Sequence, residues 1–443
     1  MTERHHPERK RVSIVTLGCE KNTVDTEVLM GGLRRHGLQL AADPSRSDII
    51  ILNTCGFIES AKRESIDRIL SAVELKSSGT VREVYVAGCL SERYRSELEA
   101  EIPGVDGYFG TEDFERIIRR LAPDVRLDTE ADLKYALLGE RVITTPHYYS
   151  YIKISEGCDN PCSFCAIPIM RGSHRSKSPE EIAFEAMMLA SQGVKEIILI
   201  AQDLTYYGLD LTGERSLAVL LRRLVKVDGI EWIRLMYAYP AHFPLDVLDV
   251  MASEEKIVPY LDIPVQHAST KVLRSMRRGI TRRATEELIA MIREKIPHIT
   301  LRTTLITGYP AEGEREFEEL EEFVQAMQFE RLGVFTYSVE DGTTAEPLGD
   351  PVSEEVKRLR QARLLDLQRE ISHEKNIAKI GKELRALVER EEDGIYYGRT
   401  EADAPEVDNE IVINSAVSLD AGMFVNVMVR EVDEFDLVGD VVA

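Results

Sequence analysis

Tyr149-Ser150-Tyr151-Ile152-Lys153-Ile154-Ser155-Glu156-Gly157-Cys158-Asp159-Asn160-Pro161-Cys162-Ser163-Phe164-Cys165 is the stretch that decides the fold. It opens as a β-prone run, passes a glycine and enters a loop with three closely spaced cysteines. Further apolar runs follow at 196–201, 233–238, 260–265, 300–306 and 332–337. Helical patterns lie between them at 179–191, 217–225, 245–251, 281–294 and 314–326, and a long one follows from 354 to 379. Ser178-Pro179-Glu180-Glu181 marks a helix start, with a capping Ser, a first-turn Pro and acidic residues. Six consecutive βα units predict an open, partial (βα)6 barrel rather than the closed eight-stranded one. The cysteines then fall at the C-terminal end of its first strand, where such barrels build their active sites.

Upstream, runs at 12–17, 48–52, 83–87 and 107–110 alternate with helical patterns at 23–36, 60–75, 92–101 and 111–121. Strands apolar throughout, separated by helices, indicate an open parallel α/β sheet covered on both faces. From Gly381 the period changes to five short runs, at 384–389, 395–400, 411–413, 424–432 and 437–441, which predict a small all-β barrel. The chain thus divides into an α/β sheet domain over 10–126, the partial barrel over 144–375 and the small barrel over 378–443.

The 443 residues carry 55 basic and 77 acidic side chains, a net charge of −22, which argues against a broad grip on a phosphate backbone. A hydrophobic content of 44% excludes disordered and collagen-like classes. No stretch approaches the roughly 20 apolar residues of a membrane span, and the charged N-terminus has no secretory pattern. The expected setting is cytoplasmic, without a membrane partner. In a reducing compartment the six cysteines read as metal or redox groups rather than disulfides.

Cys158, Cys162 and Cys165 can hold three irons of a 4Fe-4S cluster and leave the fourth open. An open iron can chelate S-adenosylmethionine, and one electron then releases a deoxyadenosyl radical, chemistry that belongs to the cofactor. A zinc site with His174 or a distant group as fourth ligand is the alternative. Phe164 is either core or a flat wall beside the adenine. Cys19, Cys55 and Cys89 each end a predicted parallel strand beside Gly18, Gly56 or Gly88, so the sheet brings them to one crevice. That convergence implies a second cluster; buried small hydrophobes are the other reading. Gln202 and Asp203 end the second barrel strand, Thr307 and Gly308 the fifth, and all four face the catalytic end. His267 reads as a hydrogen-bonded strand-end histidine rather than a proton carrier, and the basic run from Arg274 to Arg283 as a solvated helix surface rather than a contact to ribosomal RNA near the substrate.

Glu156-Gly157-Cys158…Cys162-Ser163-Phe164-Cys165-Ala166-Ile167-Pro168, with the upstream cysteine triad, resembles the radical S-adenosylmethionine methylthiotransferases over essentially the whole chain. Several stretches are similar to the branch that modifies a ribosomal protein rather than tRNA. These are Tyr260-Leu261-Asp262-Ile263-Pro264-Val265-Gln266-His267-Ala268-Ser269, Leu301-Arg302-Thr303-Thr304, Gly333-Val334-Phe335-Thr336-Tyr337-Ser338 and Gly398-Arg399-Thr400…Ala404-Pro405-Glu406-Val407-Asp408. tRNA-modifying relatives tend to have Ser-Gly where this chain has His267-Ala268. Lys177 stands where relatives often have Arg.

The resemblance implies methylthiolation of the β-carbon of an aspartate in a small-subunit ribosomal protein, using two S-adenosylmethionine molecules and two 4Fe-4S clusters. Cys158, Cys162 and Cys165 would hold the cluster that cleaves S-adenosylmethionine, and Cys19, Cys55 and Cys89 the second. Phe164, Gln202, Asp203, Thr307 and Gly308 would contact S-adenosylmethionine, and the C-terminal barrel would be a TRAM domain. The implied partners are a basic ribosomal protein and an electron donor, flavodoxin-like or similar.

Two other functions remain: a tRNA adenosine methylthiotransferase, and a non-enzymatic, metal-stapled RNA-binding protein. An RNA-binding barrel displays Lys, Arg and stacking aromatics. Residues 381–443 hold 16 acidic against 5 basic side chains, and Tyr396-Tyr397 is their one aromatic pair. A basic protein suits that surface better, and no tRNA partner is expected.

Overall fold

The computed structural model describes residues 10–122 and 141–442, which divide into two units. The first takes the chain up to Thr145 together with Ala166–Ser173; the second takes Pro146–Cys165 and everything from His174 onward. The expected boundary at 126 lies outside the described residues. The eight residues from Ala166, expected within the partial barrel, instead pack with the N-terminal unit.

In the first unit a five-stranded parallel sheet runs in the order Gln39–Leu40, Arg11–Thr16, Ile49–Thr54, Glu83–Gly88, Gly107–Tyr108. The two-residue edge strand is too short to show a sequence period. Ile49–Thr54 is buried along its whole length because helices cover both faces. Ile49 and Ile51 join one core with Val12, Leu33 and Ile117, while Ile50 and Leu52 join the other with Ile69 and Val84.

The second unit contains six parallel strands whose spatial order is their chain order: Tyr149–Lys153, Glu196–Ile200, Trp232–Leu235, Ile257–Asp262, Thr300–Thr307 and Arg331–Thr336. This is the open partial barrel. The helix Pro179–Ser191 begins with the expected cap, Ser178 and Glu181 bonding reciprocally. The fourth strand starts earlier than its sequence pattern and stops at Asp262. Pro264 offers no N–H to a ladder, so the strand is interrupted there, and Gln266, at φ +71, rejoins the neighbouring strand only through an isolated bridge to Leu305.

The C-terminal strands close into a barrel in the order Glu383–Glu392, Ile395–Thr400, Ile411–Asn414, Leu437–Val441, Phe424–Val432 around Val388, Ile413, Val427 and Val429. This small barrel seats on the N-terminal ends of the six strands, opposite the cysteine loop. Arg399 and Arg234 each reach Glu196 at 2.7 Å. Arg331 meets Asp403 at 2.5 Å, Tyr260 donates to Asp408 at 2.6 Å, and Trp232 meets Phe424 edge-on at 4.7 Å. Burial pushes the Glu196 carboxyl up, but Arg399 and Arg234 outweigh it and hold it below its ordinary value.

Candidate functional site

Two separate groups of cysteines stand at the C-terminal ends of parallel strands, one in each unit. In the second unit, Ser155–Glu156 pairs with Arg175–Ser176 and releases the chain into the Cys158–Cys165 loop. Asn160 ties this loop to the next strand end, donating to Asp203 Oδ2 at 2.8 Å. Asp203 Oδ1 accepts from the Thr205 amide and hydroxyl at 2.8 and 2.7 Å. Gln202 donates to Glu156 at 3.0 Å, while its buried Oε1 has no partner among the described residues. On the other side, the Ser163 amide donates to Met276 O at 3.0 Å and the Ala345 amide to Ser163 O at 2.8 Å.

Cys162 lies between Arg278 and Tyr239, its Sγ 3.4 Å from the guanidinium and 3.6 Å from the phenol oxygen. Arg278 stacks over the Tyr239 ring at 4.1 Å and is 4% exposed. The basic run therefore splits, contrary to its reading as solvated surface throughout. Arg278 is buried on a cysteine, Arg282 and Arg283 pair with Glu286 and Glu287, and Arg274 and Arg277 are exposed with no side-chain partner among the described residues. Those last two rim a groove of about 840 Å³ lined by Pro161, Phe243, Ile280 and Met291. Tyr237, His242 and Gln266, all with positive φ, follow the third and fourth strands, and such strained positions gather at functional sites.

The remaining expected residues vary in how open they are. Phe164 packs against Val272, Met276, Tyr309 and Tyr337. The Thr307 hydroxyl donates to Phe335 O and Lys357 O, and the Gly308 amide donates to Glu312 at 2.9 Å. Glu312 also takes Arg360 at 2.7 Å and lies 3.1 Å from His267 Nε2, so His267 is a fully hydrogen-bonded buried group. His174 turns to Ser176 at 3.0 Å and Asp210 at 3.6 Å rather than to a cysteine.

In the first unit, Cys19 caps the helix Glu20–Arg35, Cys55 directly follows the strand Ile49–Thr54, and Cys89 opens the helix Cys89–Glu101. Gly18, at φ +93, lets the backbone pass beneath Cys55: a Cβ there would sit 2.9 Å from its sulfur. Asn22 fixes the crevice floor by donating to Leu17 O at 2.7 Å and Thr54 O at 3.1 Å. Its Oδ1 lies 3.9 Å from Cys89 Sγ. Arg171 and Asp25 complete the surroundings, and neither had a signal in the sequence beyond its proximity to a cysteine.

Both groups fit an iron–sulfur cluster by donor chemistry. Burial pushes Cys89 up to about 12 and Cys158 up to about 11, so these thiols ionise only where a cation replaces the proton. Among the described residues no three His, Cys, Asp or Glu groups converge tightly enough for a single ion.

The chain matches the Radical SAM superfamily over residues 152–324, the TRAM domain over 380–442 and the uncharacterized protein family UPF0004 over 11–110. The ribosomal protein uS12 methylthiotransferase RimO of Flavobacterium johnsoniae is 50% identical over 436 residues, covering 98% of each chain. The protein of the same name from Chloroherpeton thalassium is 50% identical over 438 residues, covering 98% of this chain and 99% of that one. Among solved structures, the radical S-adenosylmethionine methyltransferase TsrM from Kitasatospora setae shares the fold, with a TM-score of 0.58 at 14% identity over 76% of this chain and 77% of that one.

Proposed function

The chain belongs to the family of the ribosomal protein uS12 methylthiotransferases, and on that premise we propose that it attaches a methylthio group to the β-carbon of an aspartate in uS12. The observation that carries this reading is the pair of cysteine triads, each placed at or just beyond the strand ends of its own unit. Cys158, Cys162 and Cys165 would hold a 4Fe-4S cluster that supplies reductive cleavage of S-adenosylmethionine, and Cys19, Cys55 and Cys89 a second from which sulfur is supplied.

The chain's own residues divide the remaining work. Asp203, through Asn160, fixes the cysteine loop. The unpartnered Gln202 Oε1 is an acceptor for the ammonium of S-adenosylmethionine. Thr307 and Gly308, with their polar atoms already bonded, shape the ligand loop instead of donating to it. Phe164 contributes packing beneath the site. An aspartate carboxylate leaving water needs a cation, and Arg274 and Arg277 on the groove beside Pro161 have no side-chain partner among the described residues.

The 16 acidic against 5 basic residues of 381–443 favour a basic protein over tRNA. A flavodoxin-like electron donor and a cytoplasmic setting complete the proposal. No helix among the described residues is long and apolar enough to cross a membrane. The test is anaerobic incubation of the reconstituted protein with S-adenosylmethionine, a reductant, recombinant uS12 and bulk tRNA. Intact mass should show one added methylthio group on uS12 and none on tRNA nucleosides. Modification of tRNA with untouched uS12 overturns the substrate assignment.

A further inference from the structure

Ala166–Ser173 follows the last cysteine of the barrel loop in sequence yet packs into the first unit. Its short helix, Ile167–Arg171, places Ala166 and Met170 against Cys89, and Thr111 donates its hydroxyl to Met170 O at 3.0 Å. The helix ends on Arg171, which is 4% exposed. Its guanidinium is gripped from two sides. Nη2 donates to Asn22 Oδ1 at 2.6 Å, and Nη1 lies 3.0 Å from Asp25 Oδ2. The same Asn22 oxygen is the one nearest Cys89 Sγ, at 3.9 Å.

A guanidinium buried this deeply requires compensating negative charge. Asp25 supplies one carboxylate, and three thiolates on an iron–sulfur cube supply more. The potential of such a cluster follows its net charge, its hydrogen bonds and its exposure. Resting on the reading that Cys19, Cys55 and Cys89 hold an iron–sulfur cluster, we propose that Arg171 is the positioning residue of that site, holding Asn22 and Asp25 in the crevice wall and setting the cluster's reduction potential by its buried charge. The residue that tunes the first unit's cluster is thus supplied by the chain just beyond the second unit's cysteines.

The test uses the full chain with Cys158, Cys162 and Cys165 replaced by Ala, which leaves one site. A redox titration followed by electron paramagnetic resonance reads its midpoint potential. Arg171→Gln removes a positive charge and should shift the midpoint to more negative values. Asp25→Asn removes a negative one and should shift it to more positive values, with Arg171→Lys falling between the parent and Arg171→Gln. A helix that merely needs docking moves iron occupancy without this reversal of sign. Equal midpoints in all variants, or shifts of one sign for Arg171→Gln and Asp25→Asn, overturn the proposal. Should Arg171→Gln hold no iron, Asp25→Asn and Arg171→Lys decide by the same rule. A parent chain that binds no iron overturns the cluster reading itself, and this is seen before any variant is compared.

Discussion

At Gly18 one added methyl group is enough to disturb the N-terminal cysteines. Its φ of +93 disfavours any side chain, and the new carbon would lie 2.6 Å from Cys55 Cβ. Gly18→Ala should therefore lose the first unit's iron while the barrel loop keeps its own, reducing iron per reconstituted chain by about half. Asp203→Asn tests the other site. It weakens the bond from Asn160 and the pair from Thr205, at a cost of about 1–3 kcal/mol to the cysteine loop. Deoxyadenosine formation should fall by roughly tenfold or more, since about 1.4 kcal/mol is a factor of ten, while iron in the first unit is untouched. The placement of the six cysteines at strand ends was legible because each follows a strand pattern directly or sits in the loop just beyond one. Arg278 and Arg171 were not, because an arginine's role depends on which distant group it meets, here Cys162 in one case and Asn22 in the other.

Among the elements, the strand and helix order was readable from periodicity, and the misplacements have local causes. The apolar run through Val265 continues past the strand because it is still buried, while Pro264 interrupts a ladder that Gln266 rejoins by a single bridge to Leu305. The helix Ile167–Arg171 was invisible, five residues being too few to establish a period. At the junction between the long helix Glu354–Ile377 and the small barrel, burial lowers Lys379 to about 8, with Arg331 adding to the shift and Asp403 opposing it. The folded chain therefore sheds this proton before the unfolded chain does. Stability at the junction should rise as pH climbs from about 8 toward the ordinary value of 10.5. Below that window the buried charge costs about 2 kcal/mol after allowing for partial exposure. Lys379→Met should accordingly slow hydrogen exchange around the junction at pH 7, with an advantage that shrinks as pH rises through the window. An advantage that grows with pH would contradict the assignment.

For the molecule as a whole, the small barrel closes the N-terminal end of the six-stranded sheet, away from the chemistry. Arg399→Leu leaves Glu196 fully buried with Arg234 alone and should cost roughly 3 kcal/mol, read as a lower melting temperature. At the opposite end, Arg274→Gln with Arg277→Gln should raise the KM for uS12 several-fold while leaving substrate-free cleavage of S-adenosylmethionine intact. An unchanged KM removes both arginines from substrate recognition. The acidic surface had suggested a region for attracting the substrate, but several of its carboxylates are structural. Asp433 accepts two backbone amides, Asp436 accepts that of Glu410, and Glu434 pairs with Arg369. Neutralising them would test folding before it tested recognition.

That the first unit borrows Ala166–Ser173 from beyond its own stretch of chain makes it a discontinuous domain. A gene fragment ending at residue 145 would encode every cysteine of the first triad and still leave out part of its wall. Truncation should then yield a protein whose cysteines oxidise readily in air and whose reconstituted iron is lost on a desalting column. Supplying the missing piece as a grafted linker, with Arg171 retained, should restore retention. Moving this domain whole into another protein would thus take two junctions rather than one, because its last segment is carried by the stretch of chain that also holds the barrel.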